Sequence, residues 1–364
     1  MKNPIKYVLA LLLSIAPATS VNLAYATHNQ LTRPASTLNF SQLDMINIHD
    51  GWAIANYSLW ITHNGGRSWR NVSPVTFPRE GYTLTQYLNA QTAWVIIEPP
   101  FRYPKNPLPA MLYITNDGGL KWSKHELVAE QPIYYPSNFE VLSQTSVWLT
   151  AYTQFPDTMQ APPMQILKWE HDKFNKITSL SPNSHMKWIR FINEQVGFMA
   201  GNSLYQTRNS GKNWSIVKLP ILNQSQGDIS FPFPPFFFHS QYGILPAIIG
   251  QVNRGVKCIL YITNNGGLTW KKASYLPVQA LGFGLNFLNE RDGWMWSPKS
   301  SYLYHTVNGG QTWTKEVTSH SFENITILQF VTNRVGYAIN IDKSGTSGQI
   351  IKTSDGGTHW EQIL

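Results

Sequence analysis

The sequence predicts an all-β chain built from seven copies of one four-stranded antiparallel unit. Three observations predict it. An eight-residue stretch, Thr-x-Asp/Asn-x-Gly-x-x-Trp, recurs six times, at 62–69, 115–122, 207–214, 263–270, 306–313 and 353–360. A small residue and an aromatic open a strand-like run before these stretches, at Gly51-Trp52, Ala93-Trp94, Gly197-Phe198, Gly293-Trp294 and Gly336-Tyr337. Val147-Trp148 is a variant of the pair, and Tyr242-Gly243 reads as the same place with the order swapped. The spacing agrees: 53 residues separate Trp69 from Trp122, 56 separate Trp214 from Trp270, then 43 and 47 lead to Trp313 and Trp360. Trp122 and Trp214 lie 92 apart, room for one more unit without the stretch.

Each copy of the stretch reads as a hairpin turn between two short strands. Asn or Asp folds its side chain onto backbone N–H groups just ahead. Gly supplies positive φ without steric cost. The Thr hydroxyl bonds across the loop, and Trp offers a large flat surface for packing. An Asp or Asn beside Gly also suits a cation or sugar, but six copies in register argue for a shared structural role. The expected turn residues are therefore Asn64, Asp117, Asn209, Asn265, Asn308 and Asp355, with Trp69, Trp122, Trp214, Trp270, Trp313 and Trp360. In the unit without the stretch, Glu170-His171-Asp172-Lys173 is a polar turn that lacks glycine.

With Thr, Asp/Asn, Gly and Trp in register, the stretch resembles the BNR or Asp-box repeat. Together with the Gly-aromatic pairs, it makes the chain similar to the photosystem II stability/assembly factor-like branch of the sialidase-like propellers. The resemblance implies a β-propeller, one domain of many blades, with the box at the turn between third and fourth strands. It implies binding of a partner polypeptide by a basic patch. That family's binding residues form no motif that can be matched here, so no residue is carried across.

In chain order, Lys2 and Lys6, the apolar run 8–16 and Ala24-Tyr25-Ala26 read as a secretory leader over 1–26, with an apolar run too short to span a bilayer. Residues 27–37 are an N-terminal extension, and 38–364 form the propeller. Its blades are expected at 38–77, 78–131, 132–182, 183–222, 223–278, 279–320 and 321–364. The inner strand of each precedes the small-aromatic pair, and Leu38-Asn39-Phe40 is available to close the ring. The sole cysteine, Cys258, excludes an intramolecular disulfide and lies in an apolar strand as an inert thiol. The net charge is +8, or +6 without the two leader lysines, with no run of like charge. That balance suits an acidic cell wall or membrane face and is not a nucleic-acid footprint. The expectation is an extracytoplasmic monomer.

Box turns and first–second turns share one face of a propeller, so length variation falls on the other. Loops on a rigid scaffold tend to carry function. Three insertions stand out there: 98–109, 153–163 and the phenylalanine-proline run 231–238. The first two lie on adjacent blades and put Arg102, Tyr103, Lys105, Tyr152 and Phe155 forward as binding residues, since aromatics and Arg are common interface anchors. The ligand would be a protein segment or a glycan. The alternative is that these loops only cover the mouth. Residues 231–238 read as core.

A glycoside hydrolase or lectin-like propeller is the alternative from another class. Phe101-Arg102-Tyr103-Pro104 is similar to the Phe-Arg-Ile-Pro motif of sialidases, but follows the first box where that family has it before. Glycosidases need two facing carboxylates. Glu98, Asp157 and Asp342 lie on or near the variable face, with nothing in the sequence to pair them. The ten histidines show no metal-ligand spacing, and His171-Asp172 reads as a solvated turn. No nucleotide loop, dinucleotide fingerprint or Gly-x-Ser-x-Gly elbow occurs. The chain is therefore read as a non-enzymatic binding or assembly scaffold with no cofactor and no metal.

Overall fold

The computed structural model describes residues 32–79, 83–98, 109–130, 132–152, 163–180, 188–200, 203–220, 229–251, 255–278, 283–297 and 302–363. Seven antiparallel sheets form a ring, a seven-bladed propeller. Blade one holds β1 (Thr32–Pro34), β2 (Phe40–Met45), β3 (Gly51–Ala55), β4 (Ser58–Thr62) and β5 (Ser68–Asn71). Blade two holds β6 (Thr83–Tyr87), β7 (Ala93–Ile97), β8 (Met111–Thr115) and β9 (Ser123–Glu126). Blade three holds β10 (Tyr135–Ser143), β11 (Ser146–Tyr152), β12 (Met164–Glu170) and β13 (Lys173–Leu180). Blade four holds β14 (Trp188–Phe191), β15 (Gly197–Ala200), β16 (Leu204–Thr207) and β17 (Ser215–Ile216). Blade five holds β18 (Ile229–Ser230), β19 (Phe236–Phe237), β20 (Gly243–Gln251), β21 (Gly255–Thr263) and β22 (Lys271–Tyr275). Blade six holds β23 (Gly284–Phe287), β24 (Gly293–Ser297), β25 (Tyr302–Thr306) and β26 (Thr314–Lys315). Blade seven holds β27 (Ile325–Phe330), β28 (Gly336–Ile341), β29 (Gly348–Thr353) and β30 (Glu361–Gln362).

All sheets except β1 fall inside the spans expected from the repeats. Residues 32–34, in the stretch read as an extension, pair antiparallel with β5 and cover the outer edge of blade one. Blade five departs differently. Its inner strand is split into β18 and β19, both paired to β20, because Pro232, Pro234 and Pro235 interrupt the ladder between them. Phe231, Phe233 and Phe236 are buried, so this run is core.

Burial follows radial position. The second strands of blades one, two, four and six are buried at every residue, the pattern of a strand packed on both faces. The outermost two-residue strands of blades four, six and seven are exposed. Very short edges of this kind resist edge-to-edge pairing.

The seams between blades use the small-aromatic pair. Trp52, Trp148, Phe198 and Trp294 are fully buried and stack on Tyr87, Phe191, Phe237 and Phe330 of the next blade. The glycine leaves room for the receiving ring. A Cβ on Gly197, Gly293 or Gly336 would come within 3.0 Å of the phenylalanine ring ending its own blade's inner strand. Blade five corrects the swapped order read from Tyr242-Gly243. Gly243 pairs with Thr263 as Gly51 pairs with Thr62, so Gly243 holds the glycine column and buried Ile244 takes the aromatic's place.

The ring closes without strand exchange. The C-terminal strand β30 stays in blade seven, and polar contacts fasten that blade to blade one. Asn39 Nδ2 donates to the Thr346 carbonyl at 2.6 Å, and its Oδ1 accepts from the Gly348 amide at 2.7 Å. The Gln329 carboxamide accepts from the Met45 amide and donates to the Met45 carbonyl and Asp44. Leu38 and Phe40 join the buried cluster that includes Ile339 and Ile350.

Candidate functional site

The six Thr-to-Trp turns share one geometry. In each, the Thr hydroxyl donates to the Asn or Asp Oδ1 at 2.9–3.0 Å. The same hydroxyl accepts from the fifth-position glycine amide. Oδ1 also accepts from the seventh-position amide. The fourth and fifth residues have positive φ in all six turns, and Ser210 is the one non-glycine among them at 62°. The Trp69, Trp214, Trp313 and Trp360 indoles donate to the fifth-position carbonyl of their own turn. Trp122 reaches back to Val72 in the preceding blade, and the Trp270 N–H has no partner among the described residues.

A second motif, unmarked in the sequence reading, sits beside each of these turns. Asn47, Asn89, Asn193 and Asn289 each accept two backbone amides two and three residues ahead through Oδ1. His239 and Thr332 do the same in blades five and seven. The carbonyl in the middle of that turn then accepts the fourth-position amide of the Thr-to-Trp turn, as from Gly65 to His49 and from Gly309 to Arg291. The pattern Asn-x-x-x-Gly-aromatic was the available signal. This face spends its polar groups on itself.

The opposite face differs. Of the five residues expected to bind, Arg102, Tyr103, Lys105 and Phe155 lie outside the described residues, as does Asp157. Tyr152 is described. It ends β11, is half-buried and pairs directly with Tyr135. Directly paired residues project to one side of a sheet. Glu98, the residue after β7, comes from the adjacent blade. Its charge acts with burial, the larger cause, to raise the Tyr135 hydroxyl above its ordinary value. Two backbone bonds tie the start of blade three to blade two here, beside a third, from Leu127 to Ala110, within blade two. Ala110 donates to Ile133, Ile133 to Leu127, and Leu127 to Ala110, at 2.8–2.9 Å. They fix the start of β10, where Tyr135 pairs with Tyr152 on the propeller face that also carries Glu98 at the end of β7.

Glu98 is 9 % exposed, and burial alone pushes its carboxyl up to about 7. Asp342 lies on blade seven, where the Ser344 hydroxyl and Thr346 amide donate to it and hold it below the ordinary carboxylate range. The structure does not bring these two carboxyls together. No group of three or more His, Cys, Asp or Glu among the described residues is arranged to hold a metal ion. Cys258 is buried with its thiol raised to about 11 by desolvation.

No protein-family model and no curated protein sequence matches the chain. Solved structures share its fold. The structure of YCF48 bound to D1 peptide matches with a TM-score of 0.56 and 16 % identity, over 91 % of this chain and 98 % of that one. An ulvan lyase of a polysaccharide lyase family matches with a TM-score of 0.50 and 8 % identity, over 89 % of this chain and 95 % of that one. A prolyl endopeptidase matches with a TM-score of 0.58 and 10 % identity, over 89 % of this chain and 49 % of that one. At these identities the likeness is one of fold, and the fold carries both binding and catalytic proteins.

Proposed function

We propose that this propeller is a non-enzymatic scaffold that binds a polypeptide segment on the face opposite its Thr-to-Trp turns. The observation that carries this reading is the pairing of Tyr135 with Tyr152 at the root of the blade-three insertion, on the face where Glu98 begins the insertion of blade two. Half-buried tyrosines supply rigid contact area with a polar tip, the composition of a recognition surface. The turns of the other face spend their Thr hydroxyls and Asx oxygens on their own backbone amides. The likeness to a propeller solved with a bound peptide supports the same choice. The protein acts outside the membrane, with residues 1–26 removed as a leader. The glycan-hydrolase alternative draws on the raised Glu98 carboxyl, which suits a general acid. It needs a second carboxylate within about 10 Å.

The test is retention of peptides and glycans by the mature chain from Thr27 onward, beside Arg102→Ala/Tyr103→Ala and Tyr152→Ala variants. Retention of peptides by the wild type and its loss in the variants is expected. Retention of glycans with release of reducing ends would replace this reading with the hydrolase.

A further inference from the structure

Charge is spread unevenly along this chain. Across residues 195–289 the sequence holds one acidic residue, Asp228, against seven basic ones. That stretch builds most of blades four and five. A groove of about 600 Å³ runs between the outer strands of these two blades. Ile216, Lys218 and Leu219 line it on blade four, and Leu268, Thr269 and Trp270 line it on blade five. Ile216 and Leu268 are both well exposed. Further cations stand on the same side. Directly paired residues project to one side of a sheet. Lys257, Lys272 and Tyr275 pair with Ile249, Tyr261 and Ile259, which pack into the buried cluster shared with blade four. All three therefore stand on the side of blade five that faces blade four. Lys272 Nζ lies 3.9 Å and Lys257 Nζ 5.5 Å from the ring centroid of Tyr275. The Trp270 N–H and the Tyr261 hydroxyl, in the same seam, are buried donors without a partner among the described residues. Blade six repeats the arrangement on its two outer strands. There Lys315 Nζ lies 3.1 Å from the ring centroid of Tyr302, and Val317 beside it is exposed.

Aliphatic side chains exposed among lysines mark a surface that something covers. The chemistry narrows what that is. Ammonium groups call for anions. Aliphatic tips call for hydrocarbon. Tyrosine and lysine together suit a boundary between the two, the ring at headgroup level and the ammonium reaching the phosphates. An acidic glycan answers the charge alone. One peptide in the groove leaves the pair on blade six unanswered. A broad partner that offers both chemistries to three neighbouring blades is a bilayer with anionic headgroups. We propose that the outer rim of blades four to six docks on an anionic phospholipid bilayer. Lys218, Lys257 and Lys272 meet headgroup phosphates, and Ile216 and Leu268 enter the layer beneath them. This docking is independent of the peptide-binding reading.

Flotation of the chain from Thr27 onward with lipid vesicles tests it. The vesicles hold three parts phosphatidylcholine to one part phosphatidylglycerol, beside vesicles of phosphatidylcholine alone. Binding is expected to the first and not to the second, and it should weaken as added salt shortens the Debye length. A lysine close to an anionic surface is worth about fivefold in binding. Lys218→Gln/Lys257→Gln/Lys272→Gln should therefore weaken binding on the order of a hundredfold. Lys121→Gln/Lys124→Gln/Lys173→Gln makes the same charge change on blades two and three and should bind as the wild type. Ile216→Ser/Leu268→Ser should weaken binding without changing its salt dependence. Thermal unfolding of each variant controls for folding. If the two lysine triples weaken binding equally, the chain's general basicity is responsible and the rim proposal is overturned. Absence of vesicle binding overturns it as well. Retention of polyglutamate or a sulfated glycan through the same three lysines would then name the partner instead. Peptide retention by the variants of blades two and three is read separately, so either proposal can fail alone.

Discussion

The indole of Trp294 lies flat on the ring of Phe330 across the seam of blades six and seven, with 3.8 Å between centroids and 9° between planes. His305 covers the other indole face at 4.5 Å and 8°. Trp294 is fully buried, so the stack combines apolar burial with ring geometry. Trp294→Ala is expected to lower stability by about 3–5 kcal/mol, the usual range for a buried aromatic lost to a cavity. Urea unfolding of the two single mutants with Phe330→Ala and of the double mutant checks the coupling. Additive losses would mean that the rings do not stabilise each other.

Ser210 occupies a left-handed position that is glycine in the other five turns. An L-residue there carries a conformational cost of about 1 kcal/mol. Ser210→Gly should therefore raise stability by somewhat less than that, after the added freedom of the unfolded chain. His171 and Asp172, at φ of 56° and 60°, form the two-residue loop between Glu170 and Lys173. Asn-Gly is the preferred filling for such a loop, so that replacement should also raise the unfolding temperature. A drop in either variant would show that the native side chain has a role beyond the turn.

Asp355 is held far below the ordinary carboxylate range. The His359 amide is the first cause, then the His359 ring, with the Thr353 hydroxyl adding to both. A depressed folded pKa contributes stability above the unfolded value of 3.8, lost as pH falls through the folded value. Asp355→Asn should lose that contribution at neutral pH and flatten the acid limb of the stability–pH curve below about pH 4, so that the two proteins converge as pH falls. An unchanged acid limb in the variant would remove Asp355 from acid unfolding.

Glu98 has the opposite sign. Its folded pKa of about 7 lies above the ordinary value of 4.5. The contribution is full below that lower value and is lost as pH rises through the higher one. In ligand-free protein, Glu98→Gln should gain stability relative to the wild type between pH 5 and pH 8. Denaturant midpoints at the two pH values decide it, and a constant difference would show that Glu98 is paired in solution.

The choice between Asp and Asn in the six turns was visible in the sequence, but its reason was not. Asp117 and Asp355 face the amides of Lys121 and His359. Asn64, Asn265 and Asn308 donate through Nδ2 to the hydroxyls of Ser68, Thr269 and Thr312. Where the seventh residue is Ser or Thr, the third is Asn and bonds its hydroxyl; Asn209, with Asn213 at the seventh position, is the fourth Asn and keeps only the amide bond common to all six turns.

Seven units, six of their turns and the polar turn of blade three were legible because each depends on residues close in sequence: a Thr hydroxyl, an Asx oxygen and two residues with positive φ. The small-aromatic column was legible as a period but not as a device. Only the tertiary structure shows that the aromatic stacks on the following blade while the glycine admits a ring from its own inner strand. Leu38-Asn39-Phe40 was legible as a segment available for closure, but the partners of Asn39, the role of Gln329 and the covering strand at 32–34 were out of reach. Local hydrogen bonds and backbone sterics are written in neighbouring residues. Contacts between blades depend on how sheets tens or hundreds of residues apart come to face each other, and only the closed ring decides that.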